Sequence, residues 1–402
     1  MAKIKPKRKI NLSSRYGVLV LVGVICVTLM AISAIGLLSR GNAPEPPDEI
    51  VMQTPEQTPE PTPEPQPTPE VTPEQTPEPT PEPTPEPTPV PNNTNPLTGI
   101  PMAEETARRR PIVISISNER AAQPMNGISG ANIVYEMPFE GNVTRMLFIY
   151  QDLADIIKAG SIRSSRHYTV HIVESYDGIL VKSGGVTGVA EARERGVPFL
   201  DESTRVQTRD LNRVPGQRVG NLHSLVTTTA LMERSLPGYS ESRNFRLMHE
   251  NNYNLGLVFV DDATPQNGVS AVDIEIKFGN AKSSFFTYNE ANKTYDFRQF
   301  GRDVRDANDN SQAAFTNILI LQTSISLIRQ GPYAGAGRVD IVTTGSGTGY
   351  FLNGGKYIEI EWHRATLSDP FSYTHKDGTV LELGVGRTYI GIVNRTAEQV
   401  IE

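Results

Sequence analysis

Pro111-Ile-Val-Ile-Ser-Ile-Ser117, Asn132-Ile-Val-Tyr-Glu136 and Thr144-Arg-Met-Leu-Phe-Ile-Tyr150 decide the fold class of this chain. Each is a short run rich in β-branched and aromatic residues, and each reads as a strand. His167 to Glu174 reads as a helix, Gly178-Ile-Leu-Val-Lys182 as a strand ending at Gly184-Gly185, and Thr227 to Glu233 as a short helix. Strands then dominate: Val272–Phe278, Lys282–Tyr288, Thr294–Phe300, Asn317–Thr323, Arg338–Thr343, Gly347–Leu352, Lys356–Trp362 and Thr388–Val393. Asn353-Gly354-Gly355 and Asp377-Gly378 punctuate them as turns. The pattern predicts an α+β head with a layered α/β N-terminal lobe, residues 96–265, and a mainly antiparallel β C-terminal lobe, residues 270–397. The loop Asp261 to Gly268 is the expected boundary.

What precedes the head differs in kind. Tyr16 to Leu38 is an uncharged apolar run, long enough for a helix to cross a hydrocarbon core of about 30 Å. Lys3, Lys5, Lys7, Arg8, Lys9 and Arg15 stand before it, and only Arg40 follows closely. The positive-inside rule then predicts a cytoplasmic tail over 1–15, a single membrane anchor over 16–38 and an exported remainder. The rival reading is a signal peptide cleaved near Ala31-Ile32-Ser33, but the apolar run continues through Leu38. Cys26 sits mid-run after Ile25, unlike an acylated lipoprotein cysteine, and reads as a small apolar residue of the span.

Residues 41–95 form a Pro/Thr/Glu-rich linker. Positions 41–96 hold 20 of the 31 prolines, 10 Glu and one Asp, with no Lys or Arg. Proline fixes φ and removes a donor, so neither helix nor sheet is expected. Thr54–Pro91 would reach on the order of 100 Å as polyproline II. The reading is a spacer between membrane and head.

Charge and cysteine content exclude several function classes. Net charge is −7 for the whole chain and −3 for residues 97–402. A mildly acidic head is no footprint for nucleic acid. The only cysteine is Cys26, so the head has no disulfide, no thiolate zinc site and no cysteine nucleophile. No complete catalytic set is present, and no cofactor or metal is expected.

Several ordered motifs nevertheless resemble one family. Pro96-Leu-Thr-Gly99, Arg109-Arg-Pro111, Ala131-Asn-Ile-Val-Tyr-Glu136, Glu140-Gly-Asn-Val-Thr-Arg145 and Gly160-Ser-Ile-Arg-Ser-Ser-Arg166 are similar, in order, to motifs of the YerB-like lipoproteins. Asn317-Ile-Leu-Ile-Leu-Gln322, Gly345-Ser-Gly347, Gly354-Gly-Lys356 to Trp362 and Gly386-Arg-Thr-Tyr389 continue the likeness through the head. The resemblance implies a two-part extracytoplasmic domain of unknown function, with layered α and β, usually lipid-anchored in Gram-positive bacteria. Three positions depart from that pattern. Asn132 stands where Asp is usual, Lys182-Ser183 where a His pair is usual, and Val219-Gly220-Asn221-Leu222 where Pro-His-Asn-Leu is usual.

Candidate sites follow from residue type and spacing. Arg163 and Arg166 follow Gly160-Ser161 at the opening of a helix, where free N–H groups and a positive dipole favour an anion. With Arg145, Asn221 and His223 they are the expected ligand-binding residues; pairing with Glu136 or Glu140 is the alternative. Glu136 and Glu140 would share one face of an extended chain, and two carboxylates suit glycan hydrolysis. His167, His171 and Glu174 share a helix face, but the companion glutamate of a metallopeptidase motif is missing, so no metal is expected. The sequence thus predicts an anchored envelope binding or scaffold protein. Its expected partner is a cell-wall polymer or an envelope protein. The alternative is a cell-wall glycan hydrolase using Glu136 or Glu140.

Overall fold

The computed structural model describes residues 94–402 apart from 211–222, 252, 280–281, 332–333 and 336. The apolar run Tyr16–Leu38, the Pro-rich segment and Asn221 lie outside the described residues. Among the described residues no helix is long and apolar enough to cross a membrane.

β1 (Ile112–Asn118), β2 (Ile133–Glu140) and β3 (Val143–Tyr150) form the heart of the main sheet. Their side chains alternate between two apolar clusters. Ile112, Ile114, Ile116, Val134, Met146 and Phe148 face one side. Val113, Ile133, Tyr135, Leu147 and Ile149 face the other. A strand covered on both faces reads as a continuous apolar run, which these are.

Helices pack on both faces. α1 (His167–Ser175) buries Tyr168, Val170, Ile172 and Val173 against the second. β4 (Ile179–Val181), α2 (Val186–Glu194) and β5 (Phe199–Leu200) follow, with β4 parallel to both β1 and β5. α2 is not announced by apolar periodicity; Gly185 caps it at φ 88°, a left-handed conformation glycine adopts without strain. α3 (Thr229–Arg243) runs ten residues beyond the expected Glu233, through Pro237, and places Met232 and Leu236 against the first face.

The C-terminal half supplies both the rest of the main sheet and the layer over its first face. Its strands are β6 (Val269–Ser270), β7 (Asp273–Gly279), β8 (Lys282–Asn289), β9 (Thr294–Gln299), β10 (Asn317–Thr323), β11 (Gly345–Asn353), β12 (Lys356–Arg364) and β13 (Thr388–Asn394). The main sheet runs β6-β12-β11-β10-β13-β2-β3-β1-β4-β5, with Ser372–Thr374 beside β12. β7, β8 and β9 belong to a six-stranded sheet whose Ile274, Ile276, Phe286 and Phe297 join the first cluster.

The two expected lobes therefore share one sheet. β2 pairs in parallel with β13 over Ile133–Glu136, and β13 pairs in parallel with β10. A loop at 261–268 divides the chain in sequence, but the central sheet crosses that division. The fold is mixed α+β and mostly strand.

Candidate functional site

Glu136 sits mid-strand in β2 and is completely buried. Asn118 Nδ2 and Thr144 Oγ1 donate to its Oε1 at 2.9 and 2.6 Å. Ser284 Oγ and Tyr389 OH donate to Oε2 at 2.8 and 2.6 Å. Lys282 Nζ lies 3.3 Å from Oε1. The stacked rings of Phe286 and Phe297, 4.9 Å apart, and Tyr389 close this region. Burial lowers the Lys282 ammonium, and the Glu136 charge works against that fall. The carboxylate is saturated and sealed from solvent. It pins β2 to β13 and to the covering sheet.

Glu140 ends in different surroundings. A bulge between Pro138 and Glu140 shifts the β2–β3 register and breaks strict alternation. Glu136 is sealed in the core whereas the Glu140 side chain is 28% exposed, so the two carboxylates stand in different surroundings. Arg166 Nη2 lies 2.8 Å from Glu140 Oε1, and Arg338 Nε lies 3.3 Å from its Oε2. Glu140 also lines a cleft of about 600 Å³ with Val143, Phe278, Leu327 and Val339.

Arg145, Arg163 and Arg166 do gather, at the end of β1 and the start of α1. Arg145 pairs across the sheet with Ser117. The segment before α1 runs beside β1: Ser117 N donates to Ser161 O and Arg163 N donates to Ser115 O. Phe139 lies under two guanidiniums, with Arg145 Cζ 4.0 Å and Arg166 Cζ 4.1 Å from its ring centre. Arg163 Nη2 is 4.0 Å from Glu119 Oε1. Ile162 N donates to Leu225 O, which brings the segment carrying buried His223 alongside.

Buried arginines elsewhere are satisfied. Arg110 donates to the carbonyls of Asp177, Arg246 and Gly178 and pairs with Asp177. Arg364 donates to Asp369, Thr343, His171 and Leu367 carbonyls. Arg387 donates to those of Ala131, Ala314 and Ile128. Arg145 differs: it is only 3% exposed, and two of its nitrogens, Nε and Nη1, are buried and without hydrogen-bond partners. Burial, and then the neighbouring Arg163, pull its guanidinium down to about 9. Its charge is poorly compensated by the protein.

The histidines of α1 are separately engaged. His167 Nε2 is 2.8 Å from Asp340 Oδ1 and His171 Nε2 is 2.9 Å from Glu191 Oε1, while Glu174 pairs with Arg195. At the positions that depart from the resemblance, Asn132 Oδ1 accepts from Gln151 N at 2.7 Å, a role Asp would fill equally. Lys182 is buried, with Nζ 3.5 Å from Asp201 Oδ2 and 4.7 Å from the Phe199 ring centre. Phe139, Glu119 and Arg338 belong to the arginine cluster and were not singled out by spacing. The one sequence signal for Phe139 is its place beside Glu140 at the hairpin.

These features define a mixed α+β protein built on one shared sheet, with a charged cluster at one end of it. The chain belongs to the DUF3048 family of proteins of unknown function: residues 97–240 match its N-terminal domain and residues 274–390 its C-terminal domain. It is 28% identical over 308 residues to a Bacillus subtilis (strain 168) protein named "Putative lipoprotein YerB", covering 74% of this chain and 85% of that protein. The crystal structure of YerB from Bacillus subtilis superposes with a TM-score of 0.64 at 24% identity, covering 77% of this chain and 99% of that one. The superposition shows the same fold.

Proposed function

We propose that this protein is a membrane-held binding module of the bacterial envelope, whose head takes an anionic component of the cell wall or of an envelope protein at the Arg145, Arg163 and Arg166 cluster. The observation that carries this reading is Arg145, a buried cation with two N–H-bearing nitrogens unpaired, in a fold that pairs its other buried arginines. A structural cation would be expected to carry a carbonyl or carboxylate; a receptor cation waits for its anion. The envelope setting is supported by the basic flank, apolar run and Pro-rich spacer, and by a relative named as a lipoprotein. Single-pass topology with the N-terminus in the cytoplasm is part of the proposal.

The hydrolase alternative loses its footing at Glu136. Both routes of glycan hydrolysis need two carboxylates reaching the bond, and Glu136 has neither solvent access nor a free lone pair to offer. The test uses the full chain in detergent with purified peptidoglycan. Wild type should sediment with the wall and release no muropeptides, and Arg145→Gln should stay in solution. Muropeptide release, or equal sedimentation of the variant, would overturn the reading.

A further inference from the structure

We infer that the group recognised by the arginine cluster is a phosphoryl oxyanion, not a carboxylate. This deepens the envelope-binding reading and rests on it only for where the ligand comes from.

Donor number is the first argument. One guanidinium fork engages both oxygens of a carboxylate. Here the guanidiniums of Arg145, Arg163 and Arg166 converge, and that of Arg145 is left without a hydrogen-bonded carboxylate. Glu140 is shared between Arg166 and Arg338, Glu119 stands 4.0 Å from Arg163, and Arg145 has no hydrogen-bonded anion. The surplus suits a group with three or more acceptor oxygens and up to two negative charges.

The second argument is the surrounding hydroxyls and amides. Ser161 Oγ and Ser165 Oγ are buried and without partners in the same short segment as Arg163 and Arg166. Arg166 Nε is also without one. The segment is wedged between two helix starts of nine residues each. Arg166 caps α1. A Cβ on Gly185 would lie 2.3 Å from Ser165 O, and one on Gly188 would lie 2.2 Å from Ser165 Oγ, so the first turn of α2 is pressed against Ser165. First-turn amides have no intrahelical acceptors, and both dipoles present their positive ends. Arginines, hydroxyls and helix starts together match phosphate chemistry.

Topology is the third argument. β1 and β4 are parallel, and this segment lies where both strands end, with α2 starting directly beyond β4. Open parallel sheets bind ligands outside the carboxyl ends of their strands.

The experiment titrates inorganic phosphate into the full chain in detergent by calorimetry, at constant ionic strength, with acetate as comparator. Saturable phosphate binding is expected, at least tenfold tighter than acetate. Arg145→Gln and Arg163→Gln should each weaken phosphate at least tenfold with circular dichroism unchanged. Should Arg145→Gln unfold, Arg145→Lys keeps the charge and must still lose affinity. Equal affinity for acetate, or undiminished affinity in the variants, would overturn the inference. Source is then assigned with peptidoglycan before and after hydrofluoric acid, which cleaves phosphodiesters. Sedimentation lost on acid treatment, in a chain that binds phosphate, supports a wall phosphodiester polymer. Sedimentation unaffected by acid, with phosphate binding retained, overturns a wall phosphodiester as the source, since the wall is then held through another group. No sedimentation at all, with phosphate binding retained, overturns the wall reading and leaves the phosphoryl site standing.

Discussion

Arg145 and Glu136 are both buried charges, treated in opposite ways. Glu136 accepts from four neutral donors and faces Lys282, so its burial is offset by its surroundings. Glu136→Gln would leave Lys282 a buried cation with neutral acceptors but no carboxylate, and would set an amide donor among donors. Breaking a buried pair costs about 3–5 kcal/mol. Urea denaturation should show a loss of that order, and a change under about 1 kcal/mol would mean the pair is not holding β2 to its cover. Arg145→Met removes a cation that the protein does not pair. It forfeits a stacking contact with Phe139 worth roughly 1–2 kcal/mol and relieves the burial of charge. Ligand-free stability should rise or stay level; a loss beyond about 2 kcal/mol would make Arg145 a structural residue. A glycine turn before a helix made Arg163 and Arg166 visible locally, and the Glu140–Arg145 motif supplied Arg145. Neither fixed which carboxylate each arginine meets. Arg166 meets Glu140, a pairing the motifs offered, but Glu119 beside Arg163 and the second cation on Glu140, Arg338, come from distant segments, and contacts of such separation leave no local pattern.

At the scale of elements, the strands were legible where apolar and β-branched residues cluster. Asn317–Thr323 and Lys282–Tyr288 match β10 and β8 almost residue for residue. Partnership was not legible. β2 beside β13 is a parallel pairing between distant segments, set by burial on both faces and not by any turn. α2 was missed because Gly184-Gly185 reads as a turn and Val186–Glu194 has little periodicity; its packing against α1 fixes it instead. That packing includes His171, whose Nε2 meets Glu191 and whose Nδ1 is 3.4 Å from Thr343 Oγ1. Burial, first of its causes, holds His171 below its ordinary value near 6.5, against the pull of Glu191. The unfolded chain therefore takes up this proton first as pH falls, and stability drops below about 6.5. Chemical denaturation from pH 7 to 5 should show that decline in the wild type and a flatter profile in His171→Gln. Parallel profiles would mean that His171 carries no part of it.

At the scale of the whole molecule, two sequence halves complete one sheet. Deleting Thr54–Pro91 should leave the melting temperature of the head unchanged, since a segment with almost no apolar side chains has nothing to pack with. A fall of several degrees would place that segment within the fold. The halves are another matter. Residues 94–265 made alone would lack β13, leaving the edge of β2 open along Ile133–Glu136. They would also lack Lys282, Ser284 and Tyr389, three of the groups around Glu136, and the β7–β9 layer over Ile114, Ile116, Val134 and Phe148. An open edge beside an uncovered apolar face favours association over folding. The fragment should thus show no cooperative melting and should aggregate. Residues 266–402 alone would leave the other edge of β13 unpaired, with Tyr389 facing no carboxylate. Mixing the two fragments during refolding should restore one cooperative transition, because the pairings that cross the division are hydrogen bonds and packing, not covalent links. A folded, monomeric 94–265 with the melting behaviour of the intact head would show that the family's N-terminal domain is autonomous, and that the shared sheet is a docking of finished parts.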